Sequence, residues 1–379
     1  MGKKVEIIAF YLPQYHPFPE NDEWWGKGYT EWTTVGKAKP LFKGHNQPRV
    51  PTELGYYDLR LPIIREQQAQ MARDAGVTAF CYWHYWFGNG KRLLADVFNE
   101  VLESGKPDFP FCLGWANHNW SAKNWNADGT TTNRLLIEQT YPGEEDMRMH
   151  FEFLLKAFRD ERYVKIDGAP LFLIYDGETF PIEYLRNLKT WTREAGFPDL
   201  YMISKQDIFI SRKQLLDMGY NAVYSEMATK WTQYTDDCLI SKAKRVSQKY
   251  KDKFIAKLLH HPPFITEYRK YVKNVLQEPL NEETYIPMII PQWDHTPRSG
   301  WNGTLFINAT PDRFYHLAKE VLSAVSDKKY PVIFLKSWNE WGEGNMMEPD
   351  LTYSRGFIDA LHNAVEEVEQ ESMKFYTNI

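Results

Sequence analysis

The sequence predicts a (β/α)8 barrel. Eight short, β-rich apolar runs recur along the chain, at residues 5–11, 77–82, 111–115, 170–175, 200–204, 222–224, 285–290 and 332–337, and amphipathic helical patterns lie between most of them. Alternating strand and helix implies a parallel sheet. Eight such units in 379 residues fit a closed barrel in a single domain better than an open doubly wound sheet, the alternative, and no GxGxxG follows the first run to support a dinucleotide fold.

Taken in order, the first strand leads into a stretch at 12–58 that is rich in Pro, Gly and Trp. A structureless segment of that length is expected to form part of a functional site. Helical periodicity follows at 61–75, closed by Gly76, then at 147–158, at 183–195 closed by Gly196, and at 311–323. Residues 230–283 read as a helical insertion between strands six and seven. That segment carries seven Lys or Arg between Lys242 and Lys257 against the single acid Asp252. A solvated basic helix face explains this pattern, and contact with an anionic glycan or membrane surface is the alternative.

Composition narrows the function. With 45 basic and 50 acidic residues the net charge is -5, which does not suit a nucleic-acid binder, so neutral or mildly charged partners are expected. Cys81, Cys112 and Cys238 are too scattered for a disulfide framework or structural zinc, so reduced thiols are expected. Residues 1–11 lack the apolar core and cleavage site of a signal peptide, and no run of 18 apolar residues offers a transmembrane span. The expectation is a cytoplasmic protein, or a periplasmic one if a signal peptide has been removed.

The strongest chemical signal is the run Ser337-Trp338-Asn339-Glu340-Trp341-Gly342-Glu343-Gly344, directly after the eighth apolar strand. In a turn or first helical turn, carboxylates at i and i+3 lie about 5–6 Å apart, and Gly342 and Gly344 permit sharp turns there. Two carboxyls sharing a low-dielectric site can divide acid and base roles, as glycoside hydrolysis requires, and about 5–5.5 Å is the spacing of retaining glycosidases. The alternative is a loop whose glutamates merely pair with Lys336 or nearby arginines.

Aromatic and polar residues gather at the predicted strand ends, the face where a barrel builds its active site. Trp83, Trp86, Trp115, Trp120, Trp125, Trp293, Trp338 and Trp341 are candidates for stacking on sugar faces, or else for packing at the barrel top. Gln14 and His16, with Glu31 and Trp32 from the long first loop, His84, and Asn117 with His118 add polar groups; Tyr11, Tyr175 and Asn339 complete the expected binding set. Asp294 and Arg298 could bond vicinal hydroxyls or pin their loop as a pair. No HExxH or other tight ligand spacing occurs; His260-His261 and Asp236-Asp237 lie in the insertion, away from any strand end, so neither metal nor cofactor is expected.

Several long runs occur in one order: Ala9-Phe10-Tyr11-Leu12-Pro13-Gln14-Tyr15-His16, Trp24-Trp25-Gly26-Lys27-Gly28-Tyr29-Thr30-Glu31-Trp32, Cys81-Tyr82-Trp83-His84-Tyr85-Trp86-Phe87, Trp115-Ala116-Asn117 and the glutamate run. In these the chain resembles the WbsX-like proteins, a family described as glycosyltransferases and lying near glycoside hydrolase family 99, the endo-α-mannosidases. The resemblance covers about residues 5–362. By the likeness to family 99, Glu340 would act as base on the substrate's 2-hydroxyl, which attacks the anomeric carbon to give a 1,2-anhydro sugar. Glu343 would protonate the leaving oxygen and then activate water. The chain departs from the WbsX pattern at His118, where a glutamate is usual, at Ser121-Ala122-Lys123, which replaces a more basic segment, and at Asn345-Met346-Met347, where His-Leu is common.

The functional expectation is a metal-independent, retaining glycoside hydrolase acting on α-mannoside-like or related bacterial polysaccharide linkages. A glycosyltransferase or transglycosylase in polysaccharide assembly could keep the same glutamates while excluding water. Ordinary nucleotide-sugar transferases use Rossmann-like folds, for which this chain has no fingerprint. A non-catalytic glycan-binding protein would need the aromatics but neither glutamate.

Overall fold

The computed structural model describes residues 4–125, 131–229 and 264–377, with isolated positions 247, 251, 254, 258 and 262. Its framework is a ring of eight parallel strands: β1 (Glu6–Tyr11), β2 (Ala79–Trp86), β3 (Phe111–Trp115), β4 (Ala169–Ile174), β5 (Tyr201–Gln206), β6 (Ala222–Ser225), β7 (Met288–Ile289) and β8 (Val332–Leu335). Each pairs with its sequence neighbour except β6 with β7, and β1 pairs with β8. The last seam is spanned beside β7, where Val223 N donates to Thr284 O at 2.9 Å and Ile286 N donates to Val223 O at 2.8 Å. All eight expected strands are present, and the barrel is nearly closed.

A helix follows every strand: α1 (Pro62–Ala75), α2 (Ala95–Ser104), α3 (Glu144–Phe158), α4 (Ile182–Glu194), α5 (Arg212–Met218), α6 (Tyr268–Val275), α7 (Pro311–Val325) and α8 (Gly356–Thr377). Local chemistry marks their ends. Pro62 opens α1, where the missing N–H costs nothing, and Gly76 closes it at φ 87°, donating to the Ala72 and Arg73 carbonyls. Ser211 caps α5 by accepting from Gln214 N, and Thr310 does the same for α7 from Arg313 N.

Two expectations need correction. The stretch at 12–58 is not structureless, because it contains short helices at Pro19–Trp25 and Glu31–Lys37. The segment expected as an insertion at 230–283 includes the barrel's own sixth helix, α6, preceded by a strand, Phe264–Glu267, that pairs in parallel with Thr304–Ile307. Its basic stretch, with His260-His261, Asp236-Asp237 and Cys238, falls outside the described residues. Cys81 and Cys112 are buried free thiols. Among the described residues no helix is long and apolar enough to cross a membrane.

Strand geometry sends alternate side chains to opposite faces, and this decides what lies inside the ring. Phe10 stacks on Phe334 at 5.0 Å and lies 4.9 Å from Trp83 and 5.7 Å from Tyr224, so rings from β1, β2, β6 and β8 plug the barrel. Such bulk leaves no width for a side chain at Gly114, in register between Trp83 and Leu173. A Cβ there would lie 3.0 Å from Cys81 Sγ, 3.2 Å from the Trp83 ring and 3.3 Å from Leu173 Cδ2. Gly114→Ala should therefore lower unfolding free energy by about 1–3 kcal/mol, the usual cost of overpacking, measured by urea denaturation; an unchanged midpoint would show that this layer has room.

Candidate active site

The loop after β8 is built as a rigid bracket. Ser337 Oγ accepts from Glu340 N at 3.0 Å and donates to Asn345 Oδ1 at 2.8 Å. Asn339 spans to the first loop, accepting from Leu12 N at 2.8 Å and donating to Leu12 O at 3.0 Å. A 3-10 turn, Trp341–Glu343, ends at Gly344 with φ 59°, and Asp294 N donates to Glu343 O at 2.8 Å. The loops after β1, β7 and β8 are thereby joined at the C-terminal end of the barrel.

Glu340 and Glu343 converge on one guanidinium. Arg298 Nη1 lies 2.7 Å from Glu343 Oε1 and 3.5 Å from Glu340 Oε2, so those oxygens are no further apart than these two distances together allow. The same guanidinium meets a third carboxylate, Glu31 Oε2, at 3.1 Å from Nη2 and 3.3 Å from Nε. Lys336 adds a second cation, 2.9 Å from Glu226 Oε1, 3.8 Å from Glu343 Oε2 and 4.7 Å from the Trp293 ring centre.

The two glutamates differ in charge state because their donors differ. Burial, reinforced by the neighbouring Glu343 charge, pushes Glu340 up to about 7, against a partial pull from Arg298 and Lys336. Burial acts on Glu343 too, but Lys336, Arg298, His295 and the Asn345 amide together overcome it and hold that group down at about 2. His295 Nε2 lies 3.7 Å from Glu343 Oε1, and Asn345 Nδ2 reaches Oε2 at 3.4 Å. These surroundings favour the proton on Glu340 over Glu343, the reverse of what the family 99 resemblance implies.

A cavity of about 230 Å³ opens on this pair. Of the expected residues, Gln14, Glu31, Trp83, His118, Trp120, Tyr175 and Arg298 line it with both glutamates. Trp83 meets Tyr175 edge-on at 5.8 Å, the His118 ring lies 5.2 Å from Tyr175, and Lys205 Nζ lies over Tyr175 at 3.4 Å. Tyr85, Lys336, Leu12 and Ala116 line it as well and were missed as binding residues. Strand alternation was the available signal for Tyr85, since the parity that turns Trp83 inward does the same two residues on.

That parity also removes several expected residues from the cleft. Tyr11 points outward and donates to Gln68 Oε1 at 2.6 Å. His84, Trp86 and Trp115 pack against α3: the His84 and His150 Nε2 atoms are 2.8 Å apart, Trp86 stacks on His150 at 4.5 Å, and Trp115 Nε1 donates to Trp86 O at 3.0 Å. Asn117 donates to Asp176 O and to Tyr141 OH, tying loops together. His16 packs edge-on to Phe18, and Trp32 donates to Tyr57 O while lying 5.4 Å from Trp341. Trp338 and Trp341 are buried, Trp341 donating to Glu348 at 2.6 Å. Asn339 serves the bracket, and Trp293 donates to Thr304 Oγ1. Asp294 does not pair with Arg298; its carboxylate is taken up by His45, Gln47 and Thr296. The Trp125 side chain lies outside what is described. Among the described residues no group of His, Cys, Asp and Glu side chains is arranged to hold a metal ion.

Comparison with known proteins supplies a lineage. The sequence matches the family described as Glycosyltransferase WbsX over residues 7–361. It is 31% identical over 367 residues to the protein WxcX of Xanthomonas campestris pv. campestris, which is described as uncharacterized, covering 95% of this chain and 49% of that protein; the chain thus spans about half the length of the curated relatives it matches. A solved glycoside hydrolase-like protein superposes with a TM-score of 0.61 at 15% identity, covering 96% of this chain and 94% of its own. A GH99 endo-alpha-mannosidase from Bacteroides thetaiotaomicron superposes with 0.58 at 15% identity, covering 97% and 98%. At those identities the likeness establishes the shared barrel fold.

The His84–His150 pair makes a prediction about acid stability. Burial depresses both imidazoles well below their ordinary value, with His150 and Arg92 adding to the effect on His84 and Arg92 to that on His150. The unfolded chain takes up protons below about pH 6.5 that the folded one refuses, so stability is complete above that pH and is lost as pH falls through it. His150→Phe should reduce stability at pH 7.5, yet its loss between pH 6.5 and 5.5 should be smaller than wild type's by up to about 1.4 kcal/mol, one proton's worth. Identical acid slopes in urea titrations would contradict this reading.

Proposed function

The chain belongs to the WbsX glycosyltransferase family, and from that premise we propose that it is a retaining glycoside hydrolase acting on α-mannoside-like or related bacterial polysaccharide linkages through the 2-hydroxyl of its own substrate. The observation that carries this reading is the pair Glu340, buried, and Glu343, partly buried, pushed apart in acidity and facing a cavity at the C-terminal end of a barrel. Trp83, Trp120 and Tyr175 offer ring faces for the apolar side of a sugar.

Glu340 suits the base role. A carboxyl raised to about 7 is substantially ionised near neutral pH and is a stronger base than an ordinary carboxylate. It takes the 2-hydroxyl proton as that oxygen bonds to the anomeric carbon and the glycosidic oxygen leaves with a proton from Glu343. Water then opens the anhydro ring from the opposite side, giving one of its protons to Glu343 as the C1–O2 bond breaks and Glu340 returns its proton to the 2-oxygen, so both carboxyls are reset and configuration is retained. Glu343 takes up a proton for this once the cations that hold it ionised, Lys336 at 3.8 Å and Arg298 at 2.7 Å, loosen their hold as substrate enters. Transfer to a sugar hydroxyl in place of water would use the same pair, and the family's description favours that second reading.

The test is cleavage of a panel of aryl glycosides and defined bacterial polysaccharides by wild type, Glu340→Gln and Glu343→Gln. Glu343→Gln should lose about 10²–10⁴-fold on natural leaving groups but far less on activated aryl glycosides, because only the former need protonation. Glu340→Gln should lose comparably on both. Sugar binding without cleavage, undiminished in both variants, would indicate a glycan-binding protein; undiminished cleavage would put the catalytic groups elsewhere, and product found only on acceptor sugars would indicate a transferase.

A further inference from the structure

Glu31 was expected to touch substrate, but its carboxylate is turned into the protein's own charge cluster. It is buried, and its Oε2 is 3.1 and 3.3 Å from two nitrogens of Arg298, whose third nitrogen meets Glu343 at 2.7 Å and Glu340 at 3.5 Å. The contact depends on a missing side chain. A Cβ on Gly342 would lie 2.3 Å from Glu31 Oε2 and 2.9 Å from Arg298 Nε, so Glu31 and Arg298 meet across the bare backbone between the two glutamates. Because a guanidinium is a rigid planar fork, holding two of its nitrogens fixes where the third points.

We propose that Glu31 is a positioning residue: by gripping Arg298 across Gly342 it apportions the guanidinium's charge between Glu340 and Glu343 and so determines which of the two holds the shared proton. The inference deepens the functional reading above, since it names what sets the pair's ionisation and where Arg298 remains anchored when substrate displaces it from Glu343. The groups facing Glu340 come from several elements: Glu343 and Lys336 from β8 and its loop, Arg298 from the loop after β7, Glu31 from the loop after β1, and Tyr85 from β2. His295 faces Glu343, Glu226 faces Lys336 from the end of β6, and Tyr15 faces both Glu31 and Arg298.

The test needs no substrate. In protein carrying carboxyl-¹³C glutamate, NMR titration follows the Glu340 signal, assigned by its absence in Glu340→Gln. With Glu31→Gln, Arg298 loses its anchor and turns its charge onto the pair, so the Glu340 midpoint should fall from about 7 by roughly one unit or more. Glu31→Asp keeps the charge but shortens the reach, so it should move the midpoint in the same direction by less, and it decides the matter should Glu31→Gln not fold. A double-mutant cycle with Arg298→Gln separates positioning from a direct field: the effect of Glu31→Gln should shrink at least twofold once Arg298 is gone. A midpoint unmoved by either Glu31 variant, or a shift of equal size with and without Arg298, would overturn the proposal. Absence of glycosidase activity alone would count against the functional reading and leave this titration as expected.

Discussion

One arginine shared by three carboxylates, Glu31 and Glu340 buried and Glu343 partly so, is the constraint on which the upper face of the barrel depends. Removing one partner from a buried ionic cluster leaves a charge without compensation, at a typical cost of about 3–5 kcal/mol, so the loops that supply these groups must be fixed relative to one another. They are. Glu31 comes from the first loop, Arg298 from the seventh and the glutamate pair from the eighth, and the Asn339 side-chain amide on the Leu12 backbone with the Asp294–Glu343 backbone bond ties the three together. Gly342 is bare because any side chain would enter the space that Glu31 and Arg298 share.

The cluster has a counterpart beneath it that explains the buried tryptophans. Glu348 accepts from Trp341, Gln68 and Tyr57, and Tyr11 donates in turn to Gln68, so the outward-pointing end of β1 and helix α1 support the base of the eighth loop. Burial lifts the Glu348 carboxyl to about 7, partly offset by those three donors and by Trp338. Trp341, Tyr57 and Tyr11 carry polar handles into satisfied positions, and the rings that line the cavity are a smaller set: Trp83, Tyr85, Trp120 and Tyr175.

How far the sequence foretold this depends on the scale. Strand runs were legible because parallel barrel strands are buried on both faces and read as continuous apolar stretches, and all eight appear in the structure. The place of the glutamate pair was legible because a glycine-rich turn directly after the last strand must lie at the C-terminal end of the barrel, and the pairing with Lys336 and an arginine that the sequence offered as the alternative is present as well. What failed was the facing of side chains near strand ends. Choosing His84 and Trp86 with Trp83 ignored a period of two, which sends the first two outward to His150 and Asp146 and brings Tyr85 in. The pairing of Asp294 with Arg298 was plausible by spacing, but His45 and Gln47, some 250 positions away, take the aspartate and leave the arginine for the glutamates. Contacts across that separation leave no local pattern to read.

The chain belongs to the WbsX family and shares its barrel fold with a GH99 endo-alpha-mannosidase. The proposed chemistry is decided most directly by the stereochemistry of the first-formed product, followed by NMR in the minutes before mutarotation. With a cleaved substrate from the panel, the account predicts that the initial product keeps the anomeric configuration of the bond broken, and that a 2-deoxy or 2-fluoro analogue, lacking the internal nucleophile, is nearly inert. An inverted first product, or a stable glycosyl adduct on Glu340 from the 2-fluoro sugar, would contradict it.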